Sequence, residues 1–167
     1  MNKYEQQAVS VIEKETNPEL LLQIAKNARG KSVIVERASI LRLALVSAKQ
    51  ERGTVQHACW QMVYTIEGLR HLNGRKVTRM NRLRPKIDKD GEIGALEYCV
   101  KQKTAGFVEI MNLNLPELTA EAIVMRHSSN FSESTISAAR ARLQSEGVEV
   151  DAQGNIIGAK DIHPAVI

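Results

Sequence analysis

The stretch from Val33 to Ala48 constrains the fold more than any other part of the chain. Val33, Ile34, Val35, Ala38, Ile40, Leu41, Leu43, Ala44, Leu45 and Val46 leave almost no polar side, interrupted chiefly by Glu36, Arg37 and Arg42. A helix apolar nearly all round needs neighbours on several sides, so it sits at the centre of a bundle or in a subunit interface. Ser32 stands where an N-cap for it is expected. Upstream, Asn17-Pro18-Glu19 reads as another helix start, because Asn caps and a proline at the first helical position gives up only an N–H that would be unpaired anyway. Leu20, Leu21, Ile24, Ala25 and Ala28 supply its apolar stripe and Gly30 ends it.

Gly53 separates the apolar helix from a third, expected from about Thr54 to Leu72. Val55, Ala58, Cys59, Met62, Ile66 and Leu69 fall on its core face. His57, Trp60, Tyr64 and His71 gather on the opposite face, a possible ligand or interface surface to be covered by another helix, a partner subunit or a ligand.

The chain of 167 residues suits one domain or two small ones, and 43% hydrophobic with 25% charged residues rules out wholesale disorder. No apolar run approaches the roughly 18 residues of a membrane span, and the expectation is a soluble, cytoplasmic protein without membrane association. Cys59 and Cys99 have no paired spacing and read as buried thiols.

Net charge is +4, but it is unevenly laid out. Arg70 to Lys89 holds eight basic residues against Asp88 alone, whereas Asp90 to Ile167 holds six basic and eleven acidic residues. Such a basic cluster attracts polyanions, because each neutralised phosphate releases condensed counterions. Within it, Thr78 is placed to cap a short helix that Pro85 ends, and Asp90-Gly91-Glu92 opens another with Ile93, Leu96, Tyr98, Cys99 and Val100 as apolar positions. Gly106 and Asn112 to Pro116 mark a less regular connection.

In the C-terminal third, Thr119 caps a short helix from Ala120 to His127, Ser128-Ser129-Asn130 turn, and Ser132 caps a longer helix to about Glu146, closed by Gly147. Val148 to Asp151 alternates as a strand, and Ile156-Ile157 is placed to pair back across Gln153-Gly154-Asn155 as a small β-hairpin. This order, with the stretch from Phe131 to Val148, resembles a winged helix-turn-helix domain. The resemblance implies that the 132–146 helix enters a DNA major groove with Ser134, Thr135, Ser137 and Arg140 available for base readout, while the wing touches backbone. Arg126 and Asn130 occupy places where Ala and Gly are commonest in that motif, which implies a longer turn.

Enzyme motifs are weak. Ala25 to Ser32 meets a relaxed phosphate-loop pattern, but a helix precedes it, and Gly30 as helix stop with Ser32 as cap explains the same letters. No HExxH, PCxxC, nucleophile elbow or dinucleotide fingerprint occurs, so no catalytic residue, metal or cofactor is assigned. The sequence predicts a mainly α protein: an N-terminal helical bundle (1–72), a basic connector (73–89), a winged-helix-like unit with a small β-hairpin (90–158) and a tail (159–167). It points to double-stranded DNA binding, with a regulator and a homodimer as the expected setting. In that reading Arg75, Lys76, Arg79, Arg82, Arg84 and Lys86 contact phosphates. Alternatives are a helical interaction module docking an acidic partner, or a small enzyme or sensor for a phosphorylated ligand held by the arginines.

Overall fold

The computed structural model describes residues 1–102 and 104–157. Four helices build the N-terminal part: α1 (Lys3–Lys14), α2 (Pro18–Ala28), α3 (Val33–Ser47) and α4 (Val55–Leu72). The caps read from sequence, Asn17 and Ser32, are in place, each accepting a backbone N–H of the first turn, and Thr54 caps α4 in the same way. α3 is the centre. α1, α2 and α4 all pack on it, burying Val35, Ala38, Ile40, Leu41, Leu43, Ala44 and Leu45. Each fully buried aliphatic side chain contributes on the order of 1.5–3 kcal/mol. Of the two expected settings, the centre of a bundle or a subunit interface, α3 takes the first within its own chain, with Val33 and Ile34 left exposed at its start. α1 had no sequence-level expectation. It starts with a capping box between Asn2 and Glu5 and buries only Val9 and Ile12.

The second half comprises α5 (Leu83–Lys101), α6 (Ala105–Asn112), α7 (Ala120–Arg126) and α8 (Glu133–Ser145). The largest core cluster joins Val55, Cys59, Met62 and Ile66 of α4 to Leu83, Ile87, Leu96 and Val100 of α5, Ile110 of α6, Ile123 and Val124 of α7, and Ala139 and Leu143 of α8. The expected short helix over Thr78 to Pro85 does not form. Instead α5 begins at Leu83 and takes Pro85 into its first turn, where an N–H would have no intrahelical acceptor. The break expected at Asp90-Gly91-Glu92 survives as a kink, with Gly91 at φ 74°.

The β-hairpin wing is absent, which corrects the expected winged unit: the described residues are all-α. No strand forms among them, and the segment after α8 carries one isolated antiparallel bridge, Val150 to Ile156. A side-chain turn and a contact with α7 account for this. Asp151 Oδ1 accepts the backbone N–H groups of Gln153 (2.9 Å) and Asn155 (2.8 Å), winding the segment into a turn rather than extending it. Gly154, at φ 82°, lies so close to α7 that a Cβ there would sit 2.2 Å from the Met125 carbonyl oxygen. The expected tail, 159–167, lies outside the described residues.

Candidate polyanion-binding site

The basic segment divides into engaged and unengaged cations. Arg70, near the end of α4, places Nε 3.1 Å from Glu109 Oε2, and Arg75 Nη1 lies 3.2 Å from Glu109 Oε1. Arg84 grips Glu67 through two contacts, Nε to Oε1 at 2.7 Å and Nη2 to Oε2 at 2.8 Å. Lys86 pairs with Asp90 at 2.7 Å, one turn along α5. Lys76, Arg79 and Arg82 are exposed and have no carboxylate partner among the described residues. Of the six expected phosphate contacts, Arg84 and Lys86 are thus engaged internally. Arg75 keeps half of its side chain in water, at 52%. Sequence counting registers all of these charges but cannot see which ones Glu67, Glu109 and Asp90 neutralise.

The free cations sit on an irregular loop, residues 73–82, that is tied down rather than dangling. The Met80 N–H donates to Glu67 Oε1 at 2.9 Å, so one carboxylate holds both the loop backbone and Arg84. Arg84 also lies over the rings of Trp60, at 5.0 Å, and Tyr64, at 5.5 Å. Its hydrogen bond to Glu67 holds the guanidinium pKa above the usual value.

This stack accounts for the aromatic face of α4. Trp60 donates its indole N–H to Glu92 Oε1 at 3.0 Å, so the cover comes from α5 of the same chain. His57 is buried, its Nε2 has no partner among the described residues, and burial together with the Arg52 charge pushes its pKa down. His71 is exposed. The four residues do not assemble an open ligand face.

On α8 the expected readers split. Ser134, Ser137 and Arg140 are exposed. Thr135 is fully buried and its hydroxyl donates to Glu97 Oε1 at 3.3 Å, so it is not on the outer face. Arg142 points inward, 2.5 Å from Glu121 and hydrogen-bonded to the Cys99 and Val100 carbonyls. It fixes α8 against α7 and the end of α5. Burial raises the carboxyl pKa of Glu121 despite this partner.

A pocket of about 500 Å³ opens where the basic loop meets the end of α5 and the start of α6. Arg70, Arg79 and Arg82 line it together with Asn81, Gln102 and Thr104, and no carboxylate does. The sequence reading placed Arg70, Asn81, Gln102 and Thr104 in no site; the basic count was the only hint, and it covered Arg70 alone.

The remaining motifs resolve structurally. Ser32 caps α3 and Gly30, at φ 72°, follows the end of α2, as the helix-stop reading of the phosphate-loop-like letters requires. Cys59 and Cys99 are buried free thiols; burial pushes both pKa values up, that of Cys99 to about 12. Among the described residues no group of His, Cys, Asp or Glu is arranged to hold a metal ion, and no helix is long and apolar enough to cross a membrane. Comparison with protein-family models, curated proteins and solved structures gives no match.

Proposed function

We propose that this chain binds double-stranded DNA without catalysing a reaction, with the 73–82 loop as the phosphate-contacting element. The observation that carries this is the trio of exposed, unpaired cations, Lys76, Arg79 and Arg82, on a loop anchored to the helical body. Arg75 joins them through its exposed half. A fixed loop of cations offers charge without a large ordering cost on binding, and its affinity comes from counterion release. Phosphate contacts of this kind set position and not sequence. α8, which follows α7 across residues 127–132, supplies Ser134, Ser137 and Arg140 as the groups for base contact.

Fluorescence anisotropy with a labelled duplex of about 25 base pairs, at roughly 50 mM salt, tests the reading. Arg79→Ala with Arg82→Ala weakens binding to every sequence, whereas Ser137→Ala with Arg140→Ala changes sequence preference and leaves nonspecific affinity largely intact. Absence of duplex binding at that salt overturns the proposal. Binding to an acidic polypeptide but not to duplex assigns the same cations to an acidic protein partner instead.

A further inference from the structure

We propose that the pocket beneath the basic loop, whose Arg79 and Arg82 also belong to the loop's exposed cations, is a binding site for a small organic phosphate monoester. This goes beyond the duplex-binding reading and does not rest on it. The volume, about 500 Å³, lies within the roughly 300–1,000 Å³ typical of small-molecule sites. Its wall carries three cations, Arg70, Arg79 and Arg82. Arg79 and Arg82 have no ion-pair partner among the described residues, and Arg70 spends its Nε on Glu109, at 3.1 and 3.3 Å. Guanidinium forks match the oxygens of a phosphate dianion and form charge-assisted hydrogen bonds with it. No carboxylate is among the described wall residues, so no internal anion competes there for Arg79 and Arg82, while Glu109 competes for Arg70.

The rest of the wall has a different character. Val77, Met80 and Leu83 supply apolar surface, while Asn81, Gln102 and Thr104 offer amide and hydroxyl groups. Thr104, the N-cap of α6, makes no capping hydrogen bond with its side chain, so its hydroxyl is not spent on the helix end. Inorganic phosphate would engage the arginines and leave the apolar wall unused. A phosphate ester places its charge on the arginines and its organic body along Val77, Met80 and Leu83, with polar groups left to fix orientation.

Isothermal titration with inorganic phosphate, ribose 5-phosphate, adenosine 5′-monophosphate and adenosine tests this on the full chain. At least one ester binds saturably, more tightly than inorganic phosphate, and adenosine does not bind. Arg79→Ala and Arg82→Ala each weaken the ester about tenfold or more, the loss of a charge-assisted contact. Lys76→Ala, outside the pocket, leaves ester binding unchanged. Ala105→Trp fills the pocket without removing a charge, so it abolishes ester binding while any duplex affinity persists; this separates failure of one reading from failure of the other. The proposal is overturned if no ester binds up to about 5 mM, or if Ala105→Trp and the arginine variants bind it as the parent does. Equal affinity for inorganic phosphate and the esters overturns the assignment of an organic body.

Discussion

Glu67 holds the basic loop, and its removal gives a stability change that follows from the geometry. Glu67→Ala deletes the acceptor of two guanidinium hydrogen bonds, at 2.7 and 2.8 Å, and of the Met80 N–H at 2.9 Å. It leaves Arg84 largely enclosed between Trp60, Tyr64 and α5 without a counter-charge. The two side chains of the pair are 17% and 15% exposed. That places the pair between an exposed one, where about 0–1 kcal/mol is usual, and a buried one, where deleting one partner costs about 3–5 kcal/mol. An intermediate loss of about 2–3 kcal/mol is expected, which lowers the melting temperature of a chain of this size by about 4–12 °C. Glu67→Gln keeps an acceptor for Met80 and removes the charge, so it loses roughly half as much. Arg84→Met retains a side chain for the two rings to pack on. In a urea-denaturation cycle with Glu67→Gln, the double variant is more stable than the sum of the single losses by about 1–2 kcal/mol. A loss below about 0.5 kcal/mol for Glu67→Ala, or a coupling near zero, would refute the anchoring role.

Other expectations concern the core and the C-terminal turn. Gly154→Ala combines a φ of 82° with a Cβ 2.2 Å from the Met125 carbonyl oxygen, so it destabilises by about 1–3 kcal/mol and raises hydrogen exchange over 148–157; unchanged exchange would show that the turn does not depend on that contact. Cys59 and Cys99 react with a thiol reagent at pH 8 only after denaturant is added, because both are buried and their pKa values are raised; rapid labelling of the native chain contradicts this. Burial raises the Glu121 pKa above its ordinary value of 4.5. The unfolded chain therefore loses this proton first as pH rises, and the stability tied to the protonated group, full below 4.5, is lost as pH climbs through the folded pKa. Relative to the parent, Glu121→Gln gains stability as pH rises above 4.5; a difference that stays flat with pH removes Glu121 from the titration.

What the sequence shows best is what local chemistry decides. Asn17, Ser32, Thr54, Thr119 and Ser132 each cap a helix within the chain's own first turn, and those starts are legible from a few neighbouring letters. α1 escaped because Val9 and Ile12, its two buried positions, make too narrow a stripe to register as a period. The wing was misread because alternation over Val148 to Asp151 is shared by strands and irregular segments. Asp151's side chain and the contact of Gly154 with α7, a residue pair far apart in sequence, decide for the turn. The site follows the same rule. A concentration of positive charge between Arg70 and Lys89 is visible in one dimension, while its division by Glu67, 17 residues from Arg84, and Glu109, 39 from Arg70, is a property of packing. The pocket is less legible still, since Gln102 and Thr104 acquire meaning only once α5 and α6 bring them beside Arg79 and Arg82.

The salt dependence of duplex binding tests the loop's role most directly. With Arg75, Lys76, Arg79 and Arg82 neutralising about four phosphates, log Kobs falls against log salt with a slope of about −3.6, a loss of about 150-fold between 50 and 200 mM. In the Arg79→Ala, Arg82→Ala variant the slope falls to about −1.8 and the loss to about 12-fold. A slope that the double substitution leaves unchanged, or one near zero in the parent protein, contradicts polyanion binding by this loop.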